Sequence, residues 1–145
     1  MSSSKINLNE PPKFLSILGS KGFNYDKSKG IAEMKFLIGD DLTHSNGTIV
    51  QGGFITAMLD ASMAHLLILK GESKINPLSL NVNVAFLAPG KPGEFVASSK
   101  IDRLGKSVAF TSATLHQDDL LIATASATNT LIQLKWIKAI DESKR

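Results

Sequence analysis

Three features that could do chemistry fall within fifteen residues, from Asn46 to Asp60. The pair Gly52-Gly53 stands at the start of a long stretch of helix-forming residues. Backbone N–H groups at a helix start lack intrahelical partners, and the helix dipole is positive there. Glycine lets a ligand come close to that backbone. Such a corner suits a carbonyl oxygen that gains negative charge during reaction. Asp60 lies about two turns further on. Its neighbours three and four residues away are Thr56, Ala57, Met63 and Ala64, small or apolar side chains. A carboxylate in such surroundings is costly unless it is partnered or lines a cavity, and a desolvated one can be tuned as a general base or nucleophile. Asn46 closes a turn-rich loop before the glycines, where its amide could bind a carbonyl or a water. Each feature has a structural alternative: a tight turn for the glycines, a carboxylate bonded to backbone for Asp60, and a plain turn for Asn46-Gly47.

Other chemistries find little support. There is no cysteine, which excludes disulfides, thiolate metal sites and a cysteine nucleophile. His44, His65 and His116 show no metal-ligand spacing, so neither metal nor cofactor is expected. His65 is expected to be a core or interface residue, and His116 an exposed one. There is no nucleophile elbow, phosphate loop or dinucleotide fingerprint. The net charge of +3 suits a polyanionic ligand. The basic residues form no stripe interleaved with aromatics, so nucleic acid is not expected. The segment Phe54 to Leu69 is interrupted by Asp60 and His65, and no stretch is expected to cross a membrane. Met1 to Glu10 lacks the pattern of a signal peptide, so the chain reads as cytoplasmic.

The elements that must position these residues follow from periodicity. The length of 145 residues argues for a single domain spanning 1–145, with residues 1–10 frayed. Pro11-Pro12 can open a short helix carrying Phe14, Leu15, Ile17 and Leu18, ended by Gly19 and Gly22. Ile31 to Ile38 alternates as a strand. Gly39 to Gly47 is rich in turn residues. Phe54 to Lys70 reads as a helix that is apolar nearly all round, and so buried on most sides. Leu78 to Leu87 alternates, with Leu78, Leu80, Val82, Val84 and Phe86 against Ser79, Asn81, Asn83 and Ala85. Strands follow over Glu94–Leu104, Ser107–Gln117 and Leu120–Leu134. Turns at Pro89 to Gly93, Gly105-Lys106 and Asp118-Asp119 suggest a four-stranded meander. The tail Lys135 to Arg145 has mixed charge and reads as solvated. One or two strands, a buried helix and an antiparallel run make an α+β layer fold.

The stretch His44 to Asp60 resembles the phenylacetyl-CoA-type (PaaI-like) acyl-CoA thioesterases of the hotdog superfamily. Their pattern is an Asn, a glycine-containing loop, His or Gln, Gly-Gly, and an acidic residue eight positions after the first glycine. Gln51, Gly52, Gly53 and Asp60 fit it. The likeness continues through Leu80 to Glu94 and Arg103 to Leu115, so that it covers roughly Ile31 to Ile132. It implies a hotdog fold, with the helix wrapped by the sheet, and assembly as a homodimer or as a dimer of dimers (a homotetramer). It implies an acyl-CoA substrate and a site shared between chains. The Gly52 N–H and Asn46 would polarise the thioester carbonyl. Asp60 of the second chain would act as nucleophile or base, with Ser79 orienting the water. Gln51, Gly53, Asn81, Arg103, Gly105, Lys106 and Ser107 would contact substrate or CoA, the basic ones meeting its phosphates. Relatives place the His or Gln six positions after the Asn. Here Gln51 comes five positions after Asn46 and six after Ser45, so that either Asn46 or Ser45 fills that place. Two other functions fit the same fold: acyl-CoA binding without turnover, and a dehydratase or hydratase. The latter needs a histidine near the helix start, where Gln51 stands.

Overall fold

The structure, a computed structural model, describes residues 11–133. The expected frayed segment 1–10, Leu134 and the mixed-charge tail 135–145 lie outside the described residues. The chain runs α1 (Phe14–Ile17), β1 (Ser20–Asp26), β2 (Ile31–Ile38), a 3-10 turn (Asp40–Leu42), β3 (Thr43–His44), β4 (Ile49–Val50), α2 (Gly52–Lys70), β5 (Ile75–Phe86), β6 (Gly93–Leu104), β7 (Val108–Gln117) and β8 (Leu120–Gln133). The six long strands form one antiparallel sheet in the order β1-β2-β6-β7-β8-β5, and β3 and β4 form a separate small hairpin. The sheet wraps α2, as expected of the α+β hotdog fold.

The core lies between α2 and the sheet. Met58, Leu59 and Met63 of the helix meet Phe36, Phe95, Ala97, Leu115 and Ile122 of the strands, all nearly or fully buried. Phe36 and Phe95 are register partners across β2 and β6. Small residues at Ala97, Ala113, Ala123 and Ala125 let the helix sit close to the sheet. By length and composition α2 would suffice to cross a membrane. That corrects the expectation that no stretch would. Asp60 and His65 do not lower the mean hydropathy enough, and eight residues between Ile55 and Leu67 are buried in the core.

Three other expectations are corrected. The segment carrying Gly22 is a strand, not a helix end. Its Lys21, Gly22 and Asn24 hide the pattern, and pairing with β2 imposes the extended form. The last four strands are not a sequential meander, for β5 pairs with β8 and β6 with β2. The link Pro89 to Pro92 is therefore a crossover, with Val50 donating its N–H to Gly90 O at 2.8 Å. Two prolines cannot donate to a ladder, which favours leaving the sheet there. Finally, β5 does not alternate strictly. A bulge falls between Ser79 and Asn81, and Leu80 is the extra residue, 63% exposed. On the helix side this sets Ser79 in phase with Val82 and Val84, which pack on the core, while Leu78 is 46% exposed.

His65 lies half-buried against Phe23, with ring centroids 4.4 Å apart. Burial lowers its pKa below the usual histidine value. The unfolded chain therefore takes up this proton more readily than the folded one. The resulting stability is fully present above about pH 6.5, and it is lost as pH falls through the lower folded value. The urea midpoint of the wild type is expected to drop over that acidic window, and His65→Gln to flatten the drop.

Candidate active site

Gln51 is the N-cap of α2, with extended backbone at φ −64° and ψ 137°. Its side-chain Oε1 accepts the Gly53 N–H at 2.6 Å, and its carbonyl accepts from Phe54 and Ile55. Gly52 N–H has no partner among the described residues. It is thus an uncommitted donor at the positive end of a 19-residue helix. A Cβ on Gly52 would lie 3.3 Å from the Phe86 ring, so the glycine keeps that corner narrow but open. The corner faces a cleft lined by His44, Val50, Ile55, Phe86, Leu87 and Pro89. Gln51→Ala is expected to cost about 1 kcal/mol of stability through the lost cap, measured by urea unfolding.

Asp60 is half-buried on α2. The Ser79 hydroxyl donates to its Oδ1 at 2.7 Å. The β5 bulge is what turns Ser79 to the helix, a common use of bulges beside reactive groups. The carboxylate thus has one oxygen fixed, while the other has no partner among the described residues. Behind Ser79, the amide of Asn129 lies 3.4 Å from its hydroxyl and 3.3 Å from Thr111 Oγ1. Asn129 and Thr111 are 2% and 1% exposed.

The other expected site residues are distributed as follows. Asn46 is at the exposed tip of the β3–β4 hairpin. Ser45, Asn46 and Gly47 all have positive φ there, at 55°, 59° and 81°. The tip is closed locally, with Thr48 Oγ1 donating to Ser45 O. Asn81 is on the outer face of β5 and accepts from Asn83 Nδ2 at 2.8 Å. Arg103 is exposed near the end of β6, and Gly105, Lys106 and Ser107 are exposed in the β6–β7 turn. Ser107 O accepts from Leu131 N, next to a small core of Leu67, Ala109 and Leu131. That turn therefore lies toward the C-terminal end of α2, away from Gly52. Among the described residues no three His, Asp or Glu groups could hold a metal.

One chain thus holds two separate groups, Gly52 with Gln51 and Gly53, and Asp60 with Ser79. They are eight residues apart on one helix, about 12 Å along its axis. A single thioester group cannot touch both. Sequence reasoning missed Phe86 above Gly52 and the pair Asn129–Thr111. The second left a signal: Ala125, Ala127, Asn129 and Leu131 share the buried phase of β8, and Asn129 is the polar member.

The model of a family described as the acyl-CoA thioesterase N-terminal domain matches residues 41–130. A solved structure from Ralstonia eutropha JMP134, an inferred thioesterase related to phenylacetic acid degradation, is 30% identical. The match covers 83% of this chain and 91% of that one, with a TM-score of 0.77. The PaaI protein of the Escherichia coli phenylacetic acid degradation operon is 16% identical, with a TM-score of 0.73 over 86% of this chain and 88% of that one. It shares the fold. An inferred esterase of Pseudomonas aeruginosa is 26% identical over 88 residues, 59% of this chain and 66% of that protein. The chain spans about three-fifths to two-thirds of the length of the curated relatives it matches.

Proposed function

The chain belongs to the acyl-CoA thioesterase family, and from that premise we propose that it hydrolyses a CoA thioester to the free acid and CoA. The observation that carries the reading is Asp60, a half-buried acid on an apolar helix, gripped by Ser79 at 2.7 Å. The thioester carbonyl accepts from the Gly52 N–H, where the helix dipole stabilises the oxyanion. Asp60 of the partner subunit supplies the second half. Its free oxygen takes the proton from an attacking water, or attacks the carbonyl carbon itself. Thiolate departure then releases CoA, and where Asp60 itself has attacked, water hydrolyses the resulting acyl–aspartyl anhydride to the free acid.

The two-chain arrangement rests on distance and on the sheet edge. The separation of about 12 Å within one helix asks for a second copy. β5 is an edge strand of twelve residues, and an unpaired edge of that length is a ready surface for another strand. A second copy paired antiparallel along β5 would bring Ser79 of the partner subunit toward the Phe86 end of the strand, and Phe86 lies over Gly52. The β6–β7 turn, with Arg103 and Lys106, is suited to the phosphates of CoA.

The test is a hydrolysis screen over short, medium, long and aryl acyl-CoAs, with thiol release as the readout. Turnover of at least one class is expected. Tight acyl-CoA binding with no turnover across the panel would overturn the reading in favour of a binding protein.

A further inference from the structure

The Ser79 hydroxyl has one proton and two acceptors within reach, Asp60 Oδ1 at 2.7 Å and Asn129 Oδ1 at 3.4 Å. It cannot serve both. The shorter bond ends on a carboxylate, which is the stronger acceptor. With the proton committed there, a carbonyl oxygen of Asn129 facing Ser79 would be two acceptors in opposition. As placed, Asn129 turns Oδ1 to Ser79 and Nδ2 to Thr111, and a half-turn of the amide, which exchanges two atoms of nearly equal shape, would remove the opposition. Thr111 would then donate to Asn129, Asn129 to Ser79, and Ser79 to Asp60. Each hydroxyl proton would be used once, and the chain of bonds would end on the charge.

We propose that Asn129 is a positioning residue, set by Thr111, that holds the Ser79 proton on Asp60. This rests on the reading of Asp60 as the acid of a thioesterase.

Three observations support it. Asn129 and Ser79 are direct register partners across β8 and β5, so the amide stands behind the hydroxyl by ladder geometry. Their pairing lies at the bulge that turns Ser79 inward. Asn129 and Thr111 are both shut from solvent, where well-packed apolar side chains would serve the core as well. Distances of 3.3–3.4 Å make these steering contacts and not strong bonds. Their effect is to remove the hydroxyl's freedom to turn away from Asp60.

The experiment is a double-mutant cycle on hydrolysis, with Asn129→Leu, Ser79→Ala and the pair, each checked for folding by circular dichroism. Asn129→Leu is expected to lower kcat about tenfold with KM little changed, and to have no further effect once Ser79 is alanine. Thr111→Val is expected to give a smaller loss, and Thr111→Ser to restore it. If the losses from Asn129→Leu and Ser79→Ala multiply, Asn129 is only packing and the proposal falls. If the wild type turns over no acyl-CoA, it is the functional reading that fails. The relay is then judged by urea midpoints of the same four proteins. Non-additive shifts support it, and additive ones overturn it.

Discussion

Asp60→Asn is expected to lower kcat for CoA-thioester hydrolysis about 10²–10⁴-fold, the range for losing a positioned base or nucleophile. The substitution keeps shape and volume. An amide in this place can still accept from the Ser79 hydroxyl, so the α2–β5 contact survives and the melting temperature should change little. What it loses is basicity at the free oxygen. Steady-state kinetics beside a thermal melt separate the two effects. Unchanged turnover with an unchanged melt would remove Asp60 from the reaction.

Gly52→Pro is expected to lower kcat about 10²–10³-fold, as for the loss of one oxyanion donor. Proline is tolerated in the first turn of a helix. The extended backbone of Gln51 is what a residue before proline prefers. The ring has to share space with Phe86, which is 58% exposed and free to shift. The helix should therefore survive while the N–H is gone. This variant and Asp60→Asn together test the shared site. In each, both sites of a homodimer are damaged. Unfolding an equal mixture and refolding it makes half of the dimers mixed, each with one site carrying both changes and one carrying neither. About a quarter of wild-type activity should return. A mixture no more active than its parents would place both groups in one chain's site.

Much of this was legible in the chain itself. The helix stands out because Phe54 to Lys70 holds no glycine or proline and is mostly apolar, and its Gly-Gly start lies within two residues of the observed one. Asp60 stood out because a charge in such a helix needs a reason. β2 is legible from Ile31 to Ile38 because Met34, Phe36 and Ile38 carry its buried phase. The missing parts depended on distant partners. β1 has no apolar phase of its own and takes its form from β2. The order of the last four strands is set by where the Pro89 to Pro92 link crosses, which local turn chemistry does not encode. Asn46 reads in sequence as a candidate ligand, and what the sequence does not show is its left-handed backbone, φ 59°, at the exposed tip of the β3–β4 hairpin.

The bulge at Leu80 has a consequence for how this strand tolerates change in length. In most loops an inserted or deleted residue is absorbed. In β5, residue count works like a reading frame. Because Leu80 is looped out of the ladder, Ser79 and the valines face the same side although Val82 stands three positions after Ser79. Deleting Leu80 would shorten that step to two and leave Ser79 on the helix side, whereas one more paired residue between Asn81 and Val82 would turn Ser79 to the opposite face. The Ser79–Asp60 contact therefore tolerates the loss of Leu80 and not the gain of a residue beside it.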